Sequence, residues 1–311
     1  MSHWSRDLTD VPASVRERLR NIARETGENM QVLLIRYATE RWMYRLARTD
    51  QGDRFVLKGA WLFYLWGIPR RATRDVDFLA QTSKAREQMR ELLREVAAVE
   101  VPCDDGLRFD SDEIRIEEIQ EDRQYAGLRV KTVAHLGRTT IPTQIDIGFD
   151  ETLTAEPVIA ELPVLLDYEA PKIRVYGHEA VVAEKLEAIV KLGVVNTRFK
   201  DFFDLYILSR ERTFDGNEVR DQIAATFSHR GTELTTSVPT GLSDAFGRDD
   251  ESQRQWAAFL RRHEAQGAPD GFIDVVVAVR EFVHPPLEAA AAERRFGMRW
   301  TPEDGWVGRA E

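Results

Sequence analysis

Residues 73 to 80 read TRDVDFLA, and this stretch constrains the fold more than any other. Its apolar members ask for burial, while an isolated buried carboxylate is costly. A strand reconciles the two demands. Side chains alternate faces with period two, so Asp75 and Asp77 point one way while Val76 and Phe78 point the other, into a core. The chain must therefore hold a strand with one side buried and the other facing something that tolerates two negative charges. Two carboxylates this close repel, and each raises the other's pKa unless a cation lies between them. A divalent metal is the usual remedy, and Mg²⁺ prefers oxygen ligands of this kind.

The flanks extend the argument. RFVLKG reads as a short strand ending at Gly59, and AWLFYLWG as an apolar helix behind it. Gly59 then stands where a strand turns into a helix, a place where a small residue lets a phosphate approach the backbone. The N–H groups at the start of that helix favour an anion. Fourteen residues separate Ala60 from Asp75, enough for one helix and a return into an adjacent strand. A phosphate cradle beside a two-carboxylate metal site is the expectation. A hydroxyl attacking a nucleotide's α-phosphorus needs a third carboxylate, either to complete a metal's ligand set or to take the proton. QIDIGFD supplies Asp146 between Ile145 and Ile147; Asp150, nearer a loop, is the weaker choice.

Helices and strands elsewhere suggest an α+β chain in three parts. Residues 1–50 hold two helices: Asp10 and Pro12 signal the start of the first, and Val15, Leu19 and Ile22 form its stripe. Gly27 marks the break before NMQVLLIRYATERWMYRLART, a broader apolar face with arginines on its flanks. Residues 51–168 read as a small α/β core. Its helix SKAREQMRELLREVAAV has Ser83 as a cap, and the strand-like pieces IRIEEI, GLRVKTVAHL and TIPTQIDIGF suggest an antiparallel or mixed sheet. Pro157, Pro163 and Pro171 mark a connecting stretch. Helical patterns dominate residues 169–311, which are expected to form a helical domain contributing to the active-site cleft.

Composition narrows the classes. No run of about 18 apolar residues and no basic-then-apolar leader points to a membrane or to secretion. The single cysteine, Cys103, rules out an internal disulfide or a cysteine metal cluster and fits an inert thiol in a reducing cytoplasm. Six scattered histidines without ligand spacing argue against zinc, and neither a G-x-S-x-G nor a P-loop is present. A net charge of −10 speaks against indiscriminate nucleic-acid binding. Residues 1–75, however, carry 14 Lys and Arg against 9 Asp and Glu, a net +5, leaving −15 for the rest. That basic third suits a phosphate backbone, or simply an arginine-rich solvated helix.

Lys185 lies in a helix whose apolar partners include Val181, Val182, Leu186 and Ile189, at the edge of the buried face. There it serves either as an ordinary boundary residue or as a flexible charge reaching a triphosphate. Asp201 and Asp204 share one helix face among Phe199, Phe202, Phe203 and Tyr206. Asp201 has three candidate partners: Lys185, a metal-bound water or the nucleotide. The charges from Arg198 to Asp204 also fit a plain ladder such as Lys200–Asp204. Arg70, Arg71 and Arg74 flank the aspartate pair, holding phosphates or coating a loop.

These residues together carry a resemblance. KGAWLFYLWGIPRRATRDVDF resembles the first motif of the DNA polymerase β-like nucleotidyltransferase superfamily. With EKLEAIVKLGVVNTRFKDFFDL, the pattern from about Val56 to Leu208 is similar to the AbiEii/AbiGii toxin family of abortive-infection and toxin–antitoxin operons. The resemblance implies a polymerase β-like core with a small mixed sheet, flanked by N-terminal helices and a helical C-terminal half. It places the metal pair on Asp75 and Asp77, the glycine on Gly59, the helical lysine on Lys185, and the closing motif on Arg198, Lys200, Asp201 and Asp204. Asp146 is then expected as the third metal carboxylate, with Asp150 the alternative, and Arg74 is expected to join Gly59, Ala60 and Lys185 around the nucleotide. The family's common serine after the glycine is Ala60 here, which shifts the grip on the triphosphate toward backbone and cations.

The implied activity is a Mg²⁺-dependent nucleotidyltransferase toxin, with Mn²⁺ as the alternative metal. It would move a nucleoside monophosphate from an NTP to RNA, the tRNA 3′ end in particular, with Arg70 and Arg71 touching the RNA and an AbiEi-like antitoxin as cognate partner. Rival readings are transfer to a small molecule or protein hydroxyl, a non-catalytic nucleotide-binding regulatory module, and a structural partner without turnover.

Overall fold

The computed structural model describes residues 10–68, 71, 73, 75–82, 85–121, 125–149 and 153–308. The chain divides into two compact units. The first comprises residues 1–67, 73–152 and 157–175, and the second residues 68–72, 153–156 and 176–311.

The first unit opens with α1 (Val11–Thr26) and α2 (Met30–Leu46). The Asp10 carboxylate accepts from Ala13 N–H at 3.0 Å, and Gly27, at φ +75°, ends α1 in the left-handed conformation that glycine adopts freely. Asn29 caps α2 in the same way, accepting from Gln31 N–H at 2.8 Å. Then follow β1 (Phe55–Lys58), α3 (Trp61–Leu65), β2 (Asp75–Ala80), α4 (Arg86–Ala98), β3 (Leu107–Phe109), β4 (Arg115–Glu121), β5 (Tyr125–Leu136), β6 (Thr139–Phe149), β7 (Val158–Glu161) and β8 (Lys172–Val175). Ser83 lies outside the described residues, and the residue ahead of α4 is Ala85, which makes no side-chain cap.

The strands form one mixed sheet in the order β3-β5-β6-β2-β1-β8-β7, with β4 also on β5. The β2–β6 and β1–β8 pairs are parallel, while β1–β2 and β5–β6 are antiparallel. This is an α+β arrangement, as the strand-like pieces suggested. Its eight strands make a larger sheet than the small one expected, because the proline-marked stretch after residue 156 itself supplies β7 and β8. On one side of the sheet Val76, Ile145, Val130 and Ile116 lie in a lateral row, and all are buried. Helix α2 packs on β6.

The arginines of α2 do not lie on its flanks as expected. Arg41 and Arg45 are buried, donating to the buried Asp105 carboxylate at 2.9 and 2.7 Å. Arg18 pairs with Asp167, and Arg20 with Glu17. Much of the basic character of the N-terminal third is thus spent on contacts inside the unit.

The second unit holds α5 (His178–Leu192), α6 (Phe199–Glu211), β9 (Phe214–Asp215), α7 (Gly216–Arg230), α8 (Asp244–Arg248), α9 (Asp250–Arg262), α10 (Phe272–Ala291), β10 (Met298–Thr301) and β11 (Gly305–Gly308). Helices dominate, but β9, β10 and β11 form a three-stranded antiparallel sheet that the helical reading did not include. Trp300 Nε1–H donates to Ser209 C=O at 2.7 Å and Trp306 Nε1–H to Phe282 C=O at 2.8 Å, fixing this sheet to α6 and α10. Among the described residues, no helix is long and apolar enough to cross a membrane.

Candidate functional site

Adjacent strands bring the aspartates together. Lys58 lies opposite Asp77 across β1 and β2, Asp77 beside Asp146 across β2 and β6, and Arg129 opposite Asp146 across β5 and β6. Glu117 of β4 lies opposite Arg129. Laterally paired residues point to the same side of a sheet, with strands about 4.8 Å apart. The side away from the core therefore carries one row across five strands: Lys58, Asp77, Asp146, Arg129, Glu117. Their charges run plus, minus, minus, plus, minus. Asp77 and Asp146 are the one neighbouring pair in the row with the same sign, an arrangement that destabilises a sheet unless something offsets it. Asp75 projects on the same side two residues away along β2, and its Oδ1 accepts from Thr73 Oγ1–H at 3.0 Å. The alternation explains why an apolar strand tolerates both aspartates. Val76 and Phe78 anchor it in the core while the carboxylates stay half-buried.

Gly59 stands directly against this row. Its φ is +72°, and a Cβ built on it would lie 2.1 Å from Asp77 Oδ2 and 2.9 Å from its Cγ. Any other residue meets both a strained backbone and a collision with the carboxylate. The helix behind it differs from the expectation in one respect. At five residues, α3 has little macrodipole, and Leu62 N–H and Phe63 N–H already donate to Gly59 and Ala60 C=O at 3.3 and 3.2 Å. Less of any grip on phosphate can therefore come from that helix start.

Asp146 is 6% exposed. Arg129 forks onto it, Nε donating to Oδ1 at 2.9 Å and Nη2 to Oδ2 at 2.7 Å, and Gln144 Nε2 lies at 3.3 Å from Oδ1. The bond to Asp146, aided by the charge of Asp75, holds the Arg129 pKa above its ordinary value despite partial burial. Neither Arg129 nor Lys58 was among the expected site residues. The signal for Arg129 was present, however. Gly137 and Arg138 make a two-residue hairpin turn, and equal steps outward from it pair Leu136 with Thr139 and finally Arg129 with Asp146. A separate trio, Asp110, Glu113 and His135, brings one ligand atom each to within 4.8 Å of the others near the turn end of β5.

The second unit holds a different assembly. Asp201 and Asp204, three residues apart on α6, are 0% and 1% exposed. Lys185 Nζ donates to Asp201 Oδ1 at 3.0 Å and to Asp204 Oδ2 at 2.7 Å. Arg71 forks onto Asp204 with two bonds of 2.9 Å, and Arg198 Nε reaches Asp201 Oδ2 at 2.6 Å. Burial alone would raise both carboxyl pKa values. For Asp201 the charges of Lys185 and Arg198 outweigh it, and for Asp204 those of Arg71 and Lys185, so both are held below the usual range. Burial would likewise depress Lys185, yet Asp204 and Asp201 hold it above its ordinary value. Of the partners expected for Asp201 the structure shows Lys185, and it adds Arg198. Asp204 is taken by Arg71 and Lys185 rather than by a ladder with Lys200, which is exposed. Arg71 is thereby placed on a buried carboxylate. Arg70, Arg74 and Asp150 lie outside the described residues.

Comparison with known proteins gives these arrangements a context. The family model described as the nucleotidyl transferase AbiEii toxin of type IV toxin–antitoxin systems matches residues 41–292. A crystal structure of a candidate nucleotidyltransferase from H. pylori aligns with a TM-score of 0.51 at 15% identity, covering 86% of this chain and 97% of that one. The crystal structure of JHP933 from Helicobacter pylori aligns at 0.49 and 14% identity, covering 85% and 94%. No curated protein matches the chain. At such identities the first of these structures supports the fold alone.

Proposed function

The chain belongs to the AbiEii nucleotidyl transferase toxin family of type IV toxin–antitoxin systems, and from that premise we propose how its own residues carry the transfer. It is a nucleotidyltransferase, and the family implies a nucleoside triphosphate as substrate and an antitoxin as partner. The acceptor in our reading is RNA, at the tRNA 3′ end, and modification there blocks translation and growth. Asp75, Asp77 and Asp146 are assigned to hold Mg²⁺, or Mn²⁺ in its place. Their donor set is all oxygen, which suits these cations, and the like-charged pair Asp77–Asp146 beside Gly59 is the observation that carries the assignment. When bound, the metal supplies charge neutralisation for the triphosphate and for departing pyrophosphate.

The chain's own residues do the rest. Gly59 keeps side-chain bulk away from Asp77, so that a phosphate can come close to the backbone. Asp146 takes the proton of the attacking hydroxyl or orients that hydroxyl. On the second unit Lys185, with Arg198 and Lys200, is assigned to the nucleotide's phosphates. Asp201 and Asp204 serve there as positioning residues that fix the cations. Catalysis of this kind rests on placement and charge.

The test incubates the protein with each of the four labelled nucleoside triphosphates, total RNA and Mg²⁺, beside a chelated control and Asp77→Asn. Label should enter RNA from at least one nucleotide and be lost in both controls. Label in a small product or in protein, with none in RNA, would overturn the acceptor. Undiminished transfer by Asp77→Asn would overturn the site.

A further inference from the structure

The charge row poses a problem that its own residues solve in part. Asp77 and Asp146 repel, and a protein that folds before meeting metal needs something else to offset them. At Asp146 that something is Arg129, whose two parallel bonds of 2.9 and 2.7 Å satisfy both carboxylate oxygens. Such a fork is the strongest arrangement an arginine can offer a carboxylate. The two members differ in exposure. Asp146 is almost wholly enclosed, whereas the Arg129 side chain is 36% exposed, so the guanidinium can leave without unpacking the core. Glu117 lies next in the row and offers a departing guanidinium a second carboxylate, although Lys131 now holds it at 2.8 and 2.9 Å.

We infer that Arg129 stands in for a metal cation at Asp146 in the resting protein, and that a divalent cation must compete with it for that carboxylate. The inference rests on the assignment of Asp75, Asp77 and Asp146 to metal. Arg129 is on this view a positioning residue that keeps the face folded without metal and sets how tightly metal is held. A purely structural arginine would behave differently. Removing it would misplace Asp146 and weaken metal binding. Removing a competitor tightens it.

Mn²⁺ titration followed by electron paramagnetic resonance separates the two. The full chain is used with His135→Ala in every sample, so that the Asp110–Glu113–His135 trio does not add to the signal. Arg129→Gln should bind Mn²⁺ more tightly than its parent, on the order of tenfold, the lower end of the range over which neighbours of metal ligands tune affinity. Its metal-free melting temperature should fall, and its rise on adding Mn²⁺ should exceed the parent's. Arg129→Lys keeps a charge but loses the fork, so its affinity should lie between the two; it serves as the readout if the glutamine variant does not fold. Equal or weaker binding by either variant, with Asp77→Asn still abolishing the signal, overturns the inference alone. Binding by Asp77→Asn equal to the parent's overturns instead the metal assignment on which it rests.

Discussion

Asp77 and Asp146 lie side by side on a sheet with like charge, the first half-buried with Lys58 opposite it across the strands, the second held by the part-exposed Arg129. Asp201 and Asp204 lie on one helix face in a core, and Lys185, Arg71 and Arg198 take up their oxygens. The same residue type thus does two jobs. Where like-charged carboxylates lie side by side, their negative charge favours a cationic ligand between them. Where cations outnumber carboxylates, the carboxylates hold those cations in place, and a net positive charge is what the assembly has to offer. In a motif such as R-x-K-D-x-x-D, therefore, the aspartates need not touch substrate to be indispensable.

The contrast can be broken most directly at Asp77. Asp77→Asn removes charge from a repelling pair, so nucleotidyl transfer should fall by roughly a thousandfold or more, on the scale of losing a main electrostatic element. Its urea midpoint should change little, since relief of the repulsion from Asp146 offsets the lost attraction of Lys58 across the strands. A clear loss of stability would mean that the sheet face is as structural as the helix cluster. Asp204→Ala should do the reverse, leaving Lys185 and Arg71 without their shared carboxylate. The expected loss is about 3–5 kcal/mol of unfolding free energy, as for breaking a buried ion pair, measured by urea denaturation. A variant of near-parental stability would show that solvent reaches the cluster.

A fifth carboxyl sharpens the comparison because it is buried without such partners. Glu40 is wholly enclosed, its Oε2 accepts from Leu165 N–H at 3.0 Å, and its Oε1 has no hydrogen-bond partner. Burial, only partly offset by that bond and by Arg36 and Arg41, pushes its pKa from 4.5 up to about 8. Below pH 4.5 both the folded and unfolded chains carry the proton, and Glu40 imposes no penalty. As pH rises toward 8 the unfolded chain gives up its proton while the folded one retains it, so stability drains away by about 4–5 kcal/mol. Asp201 has the opposite slope, since its depressed pKa makes its contribution present above about pH 3.8 and lost in acid. Glu40→Gln should flatten the neutral limb of a melting-temperature profile and leave the acid limb in place. A parallel shift of the whole profile would contradict this.

How much of this was readable depends on distance along the chain. The Asp10 cap, the Gly27 stop and the alternation around Asp75 are local, and local chemistry fixes them. The Arg129–Asp146 pair spans 17 residues but is set by one tight turn. Arg71 and Asp204 are 133 residues apart and Arg45 and Asp105 are 60 apart, so no local pattern announces them. Arg41 and Arg45 read as solvated for that reason. The short strands β7 to β11 escaped because segments of two to four residues carry too little periodicity to stand out.

The corner at Gly137 and Arg138 carries a consequence for how this protein can change. Most surface loops accept an inserted or deleted residue at modest cost. Here a one-residue length change, if β5 kept its place, would turn the eleven residues of β6 over. Asp146 would enter the hydrocarbon interior, while Ile145 and Ile147 would come out beside Asp77. Substitutions at the bend are negotiable; its length is not.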